Sequence, residues 1–407
     1  MALNVWMGGT SAVAMVTTTQ ITAYDAATTY KLTLTDDNGN TEIISQVGTG
    51  GTVNTTATAL AAAWNASTDP RVAKVTASAA TDTVTLTADT AGRPYSVASS
   101  VTGGTGTIGS TTTTTASAGP NDYGVADNWS LGAAPVATND VLIPVGAPAI
   151  LYSLNQSTVA IGAFTRQVGH TTAIGRIEFG FYYHLRIDPD SLSDEGGSSL
   201  TMYDIGTAAI APSIKNTGSP TTGYQGVYLK GSAMSAVNVQ AGTVGIGTEE
   251  DDATTEVTTI NVSGSTSIIT VGDGVSDVDD STIDAVNLYS SATCYNKAAV
   301  ATVTCNDSTY HQQVGNWTTL NAYGQKSRVY PNATGTYATT RISGGAKLLN
   351  TLDQRAKTFT TTIIESGSEL TDPLNLITHT NPIQVPAGLR NTIIDKGLQI
   401  DIAITAI

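Results

Sequence analysis

Short strand-like segments recur from about residue 137 to residue 385, and turns rich in Gly, Asn, Asp, Ser and Thr separate them. Many short strands at close intervals predict an all-β array, either a sandwich or a solenoid. The segments contain few aromatic residues and lack long alternating strands with clear hairpin turns. These features favour a right-handed parallel β-helix, in which small inward residues stack from coil to coil. The spacing is irregular, so no repeat can be phased.

Residues 21–100 carry a different pattern. "YKLTLTDDNGNTEIISQV" alternates apolar and polar residues on both sides of a turn at residues 37–39, which predicts a hairpin. In "NTTATALAAAWNAS", Asn54 can cap a helix whose apolar residues recur at helical spacing from Ala57 to Trp64. Two further strand segments follow the helix. The order predicts a small ββαββ domain of the α+β class, with its helix over one sheet face.

These patterns divide the chain into five segments. Residues 1–20 are predicted to form an N-terminal arm, and residues 21–100 the small α+β domain. The Gly-, Ser- and Thr-rich tract at 101–120 has the composition of a linker. Residues 121–385 are predicted to form the β-helix-like domain, and residues 386–407 a C-terminal strand segment. The expected chain is therefore mainly β.

"DNWSLGAAPVATNDVLIP" places Trp129 among turn-forming residues, between the linker and the first solenoid strand. An open solenoid end exposes apolar core and unpaired strand edges, which favours aggregation. We expect a tryptophan held by turns at Gly132 and Pro135 to cover that end as a lid. An ordinary loop tryptophan on a hydrophobic patch is the alternative.

Both ends of the chain carry candidate docking residues for a partner. The N-terminal arm contains a tryptophan, and the C-terminal segment alternates apolar and polar residues. A free apolar strand is hazardous, so this terminal strand should pair within its own sheet or with a neighbouring subunit. A homo-oligomer is expected, and a trimer is favoured. The candidate docking residues are Trp6, Trp129, Leu398, Ile400, Ile402 and Ile404.

Two acidic loops, "DPDSLSDEGG" and "DGVSDVDDSTID", are weak candidates for a calcium site, because Ca²⁺ takes six to eight oxygen ligands. Neither loop has the EF-hand spacing or a glycine-rich calcium repeat. Solvated acidic loops are the favoured interpretation, and no cofactor is predicted. The candidate calcium ligands are Asp188, Asp190, Asp194, Asp277, Asp279 and Asp280.

No strong catalytic motif is present in the sequence. The four histidines show no metal-binding spacing, and neither a nucleophile elbow nor a phosphate loop occurs. Glycan cleavage would need two carboxylates across a groove, whose separation the sequence cannot give. The aromatic run "EFGFYYHL" at residues 178–185 is either a covered core edge, which is favoured, or a sugar-stacking patch. A non-enzymatic protein is predicted. The carboxylates considered for cleavage are Glu178, Asp188, Asp204 and Asp284.

The net charge is −15, and lysine and arginine form no cluster in the sequence, which argues against a nucleic-acid partner. No apolar run reaches the roughly 18 residues of a membrane span. Residues 1–20 lack the features of a secretory signal, so we expect synthesis in a cytoplasm and no membrane partner.

Cys294 and Cys305 allow one disulfide, but two reduced thiols are favoured.

The layout resembles that of structural proteins of tailed bacteriophages. "VWMGG", "YKLTLTDDNGN", "VTLTADTAGRPYSV" and "DNWSLGAAPVATNDVLIP" carry the resemblance over about the first 150 residues. It implies a small α+β module before a β-helix in a virion surface protein, most simply a capsid decoration or auxiliary head protein docked on the major capsid protein. One alternative is a tailspike or tail fibre, joined to tail proteins, that binds a surface glycan with or without cleaving it. The other is a bacterial adhesin or S-layer-like protein.

Overall fold

One long parallel sheet, coiled into successive turns, dominates the chain. Strands account for 51% of the residues, so the chain is mainly β as predicted. Within the described part of the chain there is one α-helix, and no helix is long and apolar enough to span a membrane. The computed structural model describes residues 2–220, 223–248, 255–272, 281–365, 367–386, 392–397 and 404–406.

Nine strands and the helix occupy the N-terminal third, and the other strands follow. The first elements are β1 (Leu3–Val5), β2 (Val16–Ala23), β3 (Thr29–Thr35), β4 (Thr41–Val47), α1 (Val53–Asn65), β5 (Val75–Ala80), β6 (Thr83–Ala88), β7 (Ser96–Thr102), β8 (Thr107–Ile108) and β9 (Thr112–Thr115). Next come β10 (Asp140–Ile143), β11 (Asn155–Arg166), β12 (Arg176–Glu178), β13 (Phe181–Tyr183), β14 (Leu185–Asp194), β15 (Thr201–Asp204), β16 (Ser213–Lys215), β17 (Val227–Lys230), β18 (Met234–Ala241), β19 (Thr243–Ile246), β20 (Thr255–Val262), β21 (Ile268–Val271) and β22 (Ser281–Leu288). The last are β23 (Thr293–Asn296), β24 (Val300–Asn306), β25 (Thr309–Gln312), β26 (Trp317–Tyr323), β27 (Arg328–Pro331), β28 (Gly335–Ser343), β29 (Lys347–Leu349), β30 (Lys357–Ile364), β31 (Glu369–Thr371), β32 (Ile377–His379), β33 (Ile383–Val385), β34 (Ile393–Asp395) and β35 (Ile404–Ala406).

The long sheet has the strand pairing of a β-solenoid. Among the described residues it contains 25 strands, beginning β1-β10-β11-β14 and continuing to β35. Over most of its length each strand pairs in parallel with the strand two positions later, as β18 pairs with β20 and β19 with β21. Each of these coils therefore contributes two strands, and the parallel pairing rules out the sandwich alternative.

The longer strand of each coil turns a corner in its middle. In β14, inward residues occupy odd positions up to Pro189, and then Leu192 and Asp194 point inward at even positions. Asp190 and Ser191, between these two runs, are both exposed. Side chains alternate along a straight strand, so two successive outward residues mark a bend. With its short strand, such a coil has three straight segments around one apolar core.

Coil length varies while strand register is kept. Val286 pairs with Val303, 17 residues later, whereas Ile260 pairs with Val286, 26 residues later. The number of residues between paired positions thus differs from coil to coil, and lengthening a connection costs little free energy. This variation explains why no repeat could be phased from the sequence.

Two ladders of outward side chains tie neighbouring coils together. The amide of Asn287 donates to Asn261, and that of Asn261 donates to Asn238, each at 3.0 Å. Farther along, the rings of Tyr295, His311 and Tyr330 are stacked with centroids 4.7 and 4.5 Å apart. Identical or similar groups at the same register give adjacent coils a fixed alignment.

Residues 13–118 form a module that is inserted into the solenoid. Strand β1 belongs to the solenoid, since Leu3 pairs with Asp140 in β10. The chain then leaves the solenoid, and a bridge between Val13 and Ala118 marks the base of the module. The predicted arm at residues 1–20 is therefore wrong as one unit, because its first part is a solenoid strand and its last part lies in β2.

The module has two sheets around one core. One sheet has the order β5-β6-β2-β8 with β9 also on β2, and the other has the order β4-β3-β7. Leu60 and Trp64 of α1 are buried in this core, and the Trp64 indole donates to the Val75 carbonyl at 2.7 Å. Thr52, not Asn54 as predicted, caps the helix by accepting from the Thr55 amide at 3.2 Å.

The predicted linker at residues 101–120 instead contains the edge of a sheet. Strands β8 and β9 lie inside it and pair antiparallel with β2. This tract was predicted to be a linker because it is rich in Gly, Ser and Thr and has no apolar pattern. Thr112–Thr115 is exposed on every side chain, yet β-branched threonine suits an extended backbone.

Candidate functional site

The side chains of Trp6, Tyr123 and Trp129 form an aromatic cluster beside the first solenoid strands. The Trp129 ring lies 5.0 Å from Trp6 and 4.7 Å from Tyr123, measured between centroids. All three side chains are buried, and the Trp129 indole donates to the Tyr123 carbonyl at 2.8 Å. Trp6 and Trp129 were predicted to contact a partner, but the structure places both in the core of their own chain. They are therefore not surface docking residues.

The C-terminal docking candidates are only partly described. Ile404 lies in β35, whose backbone pairs in parallel with β33 at Ile383. The terminal strand thus pairs within its own sheet, which is one of the two predicted arrangements. Leu398, Ile400 and Ile402 lie outside the described residues.

The first acidic loop does not converge on a metal. Asp188 precedes the corner of β14 and Asp190 lies in it, and both point outward, whereas Asp194 follows the corner and points inward. Within the described ranges, no group of three or more His, Cys, Asp or Glu side chains is placed to hold a metal ion. Asp188, Asp190 and Asp194 therefore do not form a shared calcium site, and this part of the calcium hypothesis is wrong. Asp277, Asp279 and Asp280 lie outside the described residues.

Asp194 belongs instead to a buried polar network. Its carboxylate accepts from the Arg166 guanidinium at 3.2 Å, and neither side chain is exposed. Arg166 also donates to Nδ1 of His170 at 2.8 Å and to the Thr201 hydroxyl at 2.6 Å. Burial, reinforced by the Arg166 charge, lowers the pKa of His170 to about 4, so this imidazole is neutral at pH 7. The network joins successive coils from inside the core.

Cys294 and Cys305 are both free and buried, on the consecutive strands β23 and β24. Burial raises the pKa of both thiols. They are thus kept protonated at neutral pH, where a thiol acts as a small apolar side chain and not as a nucleophile.

The aromatic run 178–185 forms the most distinctive surface feature, a projecting hairpin made of β12 and β13. We call residues 176–183 the junction hairpin. Its two-residue turn places Phe179 at φ +55° and Gly180 at φ +83°, the positive values of a type I′ turn. A bulky residue rarely adopts such a backbone, so Phe179 is strained. Phe179 and Phe181 remain 41% and 39% exposed, and this part of the run is not a covered core edge.

Ion pairs and hydrogen bonds fasten the junction hairpin to the module. Arg93 binds the Glu178 carboxylate through two hydrogen bonds, of 2.7 and 2.9 Å. Arg176 pairs with Asp37 at 2.9 Å. The Asn38 amide donates to a hairpin carbonyl at 3.0 Å. Charge-assisted contacts of this kind are stronger than neutral ones, so the module is held at its side as well as at its base.

Cations of the module also cover aromatic rings of the hairpin. Lys74 lies 5.3 Å from the centroid of Phe179, and Arg71 lies 5.8 Å from that of Phe181. On the hairpin itself, the Arg176 guanidinium lies 4.1 Å from the Tyr183 centroid. Each cation is attracted by the negative face of its ring.

A groove lies along the junction hairpin, between the module and the solenoid. Its volume is about 470 Å³, and we call it the junction groove. On the solenoid side, Arg186, Asp204 and Lys230 occupy the same register position on successive coils. The Arg186 guanidinium lies 3.6 Å from the Asp204 carboxylate. The residues lining the groove are Asn38, Asn40, Phe179, Gly180, Phe181, Tyr182, His184, Arg186, Asp204 and Lys230.

The carboxylates considered for glycan cleavage are distributed over separate places. Glu178 is paired with Arg93 inside the junction, and Asp204 is paired with Arg186 in the junction groove. Asp284 lines a different, smaller depression together with Glu256. Asp188 points outward from β14, so these four residues do not form a common site.

Burial alone would raise the pKa of Glu178, but the hydrogen bonds and charge of Arg93 and the charge of Arg176 lower it below its usual value. Glu178→Gln is therefore expected to reduce the free energy of unfolding at pH 7 by about 1 kcal/mol. A carboxyl with a lowered folded pKa stabilises fully above its unfolded pKa, near 4.3, and loses that contribution as the pH falls through the folded value.

Urea unfolding of both proteins from pH 7 to pH 3 measures this effect. The difference between wild type and Glu178→Gln should shrink as the pH falls below about 4.3. Glu195→Gln removes an exposed carboxylate from a solenoid turn and serves as the matched control. A difference for Glu178→Gln that stays constant over the whole range would contradict the assigned ion pair.

No protein-family model, curated protein or solved structure matches this chain. Function is therefore inferred from the geometry of the molecule itself.

The sequence drew attention to residues 178–185 but not to the module residues that hold them. Arg71, Arg93 and the turn at 36–38 lie far away along the chain and carry no local signal beyond a hairpin turn.

Proposed function

We propose that this chain is a non-enzymatic structural protein on the surface of a tailed-bacteriophage particle, most simply a capsid decoration or auxiliary head protein. One observation carries the proposal. An inserted module is fastened, at its base and through the junction hairpin, to one end of a long solenoid. Such a molecule is suited to dock through one end and project the other outward. The protein acts by shape, and its partner is the major capsid protein.

The finer features of the fold and assembly belong to the same proposal. The solenoid is right-handed, as parallel strand crossovers nearly always are. The module is an independent domain built on a ββαββ core. The chain forms a homotrimer that matches a symmetry axis of the particle lattice. Its net charge of −15 keeps neighbouring particles apart and disfavours contact with nucleic acid.

A receptor-binding tailspike or tail fibre is the second candidate, favoured by the junction groove. Half-exposed phenylalanines beside amide and charged side chains are the groups that a surface glycan would contact. In that case the chain is joined to tail proteins instead of the capsid.

Labelling purified particles with two gold-conjugated antibody fragments distinguishes these candidates in the electron microscope. One fragment recognises the module and the other recognises the coils from β26 to β30. The decoration proposal predicts solenoid label spread evenly over heads, with module label blocked by docking. Label confined to the tail tip would overturn it in favour of the adsorption protein. Label on bacterial envelopes and on no particle would instead support the adhesin or S-layer-like alternative.

A further inference from the structure

The last coils of the solenoid bring Asn350, Asp372 and Lys396 to one inward register position. Each of them directly follows the end of a short strand, β29, β31 or β34, and these three strands pair in parallel on successive coils. We propose that the three residues form an intramolecular isopeptide bond, in which the Lys396 amine replaces the side-chain nitrogen of Asn350 and Asp372 transfers the protons. This modification does not depend on where the protein sits on a particle.

All three side chains are enclosed in the core, where Asn350, Asp372 and Lys396 are 2%, 0% and 5% exposed. Nδ2 of Asn350 donates to Oδ1 of Asp372 at 2.8 Å. The Lys396 amine lies 3.7 Å from Oδ2, the other oxygen of the same carboxylate. One carboxylate is therefore next to both the nucleophile and the leaving group of the reaction. Groups held together in this way react as if each were present at a very high concentration.

The backbone fixes the Asp372 carboxylate in this position. Its Oδ1 accepts from the Leu376 amide at 3.0 Å, and its Oδ2 accepts from the Ile377 amide at 2.8 Å. A proton-transfer group has to lie within hydrogen-bond reach of the atoms between which it moves the proton. Asp372 already has this contact with Asn350, and a small movement of the flexible Lys396 side chain provides the other.

The surroundings of Lys396 and Asn350 fit a reactive pair better than a purely structural one. The Lys396 amine donates to the Ile377 carbonyl, but its distance from Asp372 is longer than a close ion pair. Burial lowers the pKa of Lys396, against the opposing charge of Asp372, and this favours the neutral amine that acts as a nucleophile. Among the described residues, no donor reaches the buried Oδ1 of Asn350, which is costly in a structural role.

The reaction balances without an oxidant or a second reactant. The Lys396 ammonium first passes a proton to Asp372, which removes two buried charges together. The free amine then attacks Cγ of Asn350, so that the Nζ–Cγ bond forms. Asp372 gives its proton to Nδ2 and takes one from Nζ, and the Cγ–Nδ2 bond breaks. The products are a new amide and one molecule of ammonia.

The bond would fasten the C-terminal end of the solenoid. It joins two coils that lie on either side of the coil carrying Asp372, so three coils are held together. Terminal repeats of a solenoid lack a neighbour on one side and open more easily than central ones. A covalent link between distant positions also lowers the entropy of the unfolded chain, as a disulfide does.

Mass spectrometry of the denatured full chain tests the proposal. We expect an intact mass that is lower than the sequence mass by one molecule of ammonia. After trypsin digestion, residues 348–355 should be found joined through Lys396 to residues 391–407, without cleavage after Lys396. A full mass in protein that circular dichroism shows to be folded would overturn the proposal. Loss of ammonia without the branched peptide would overturn it as well, because an asparagine that closes on its own backbone also releases ammonia.

Two variants identify the roles of the residues. Lys396→Arg keeps the positive charge but lacks the amine, so the chain should have its full mass. Asp372→Asn keeps the shape of the side chain, and bond formation should slow about a hundredfold or more without the proton-transfer group. Lys347→Arg, which changes an outward lysine paired with Glu369, is the matched control and should retain the branched peptide. An unchanged rate in Asp372→Asn would contradict the assigned mechanism.

Discussion

Trp129→Ala is expected to reduce the free energy of unfolding of the first solenoid coils by about 3–5 kcal/mol, because it leaves a cavity where a fully buried ring packs on Trp6 and Tyr123. The substitution also removes the donor to the Tyr123 carbonyl. Repeats of a solenoid contact mainly their neighbours, so the damage should be local. A local loss of stability of this size would support the hypothesis that Trp129 covers the end of the solenoid.

Hydrogen exchange measured by mass spectrometry locates the effect. Protection of β10 and β11 should fall, whereas β26 to β30 should keep theirs. Leu131→Ala, in the same loop but 52% exposed, is the control and should change little. Unchanged protection of β10 in Trp129→Ala would mean that the aromatic cluster does not stabilise this end.

Arg166→Met is expected to reduce the free energy of unfolding by about 3–5 kcal/mol, because it leaves the Asp194 carboxylate buried and without its cation. The Tyr203 hydroxyl at 3.2 Å and the Gly196 amide at 2.8 Å remain as donors, but neither supplies a positive charge. Urea unfolding followed by far-UV circular dichroism measures the loss.

The double variant Arg166→Met/Asp194→Asn identifies the cause of that loss. An asparagine oxygen still accepts from Gly196, and no unpaired charge is left in the core, so much of the stability should return. If the double variant is as unstable as Arg166→Met alone, the lost packing and hydrogen bonds of the arginine are responsible, and the ion pair is not.

The solenoid could be predicted because its signal is local. Short strand segments between turn residues are visible within any window of about 20 residues, and the lack of clear hairpin turns and the few aromatic residues favoured a parallel array over a sandwich. The β3–β4 turn was visible for the same reason. By contrast, β1 pairs with β10 across the whole module, and no property of Leu3–Val5 indicates so distant a partner.

The surroundings of the junction hairpin also could not be predicted from the local sequence. Residues 178–185 stood out by composition, but whether the rings were covered depended on what the fold places beside them. Lys74 and Arg71 approach from the module, and Arg186 lies on a solenoid wall. The corner of β14 could not be predicted either. It turns Asp194 away from Asp188, although their closeness in the sequence suggests one acidic cluster.

The insertion of residues 13–118 has an evolutionary consequence. The outgoing and returning chains lie side by side at Val13 and Ala118, and the Trp6 and Trp129 backbones are bridged just below them. The solenoid is thus already closed beneath the module, and insertions at such closely spaced exposed ends are readily tolerated. Recombination that replaces the module as a cassette would also have to match the junction hairpin, because Glu178 and Arg176 pair with Arg93 and Asp37 of the module. Under the proposed function, such an exchange would change the docking surface while the solenoid scaffold is inherited.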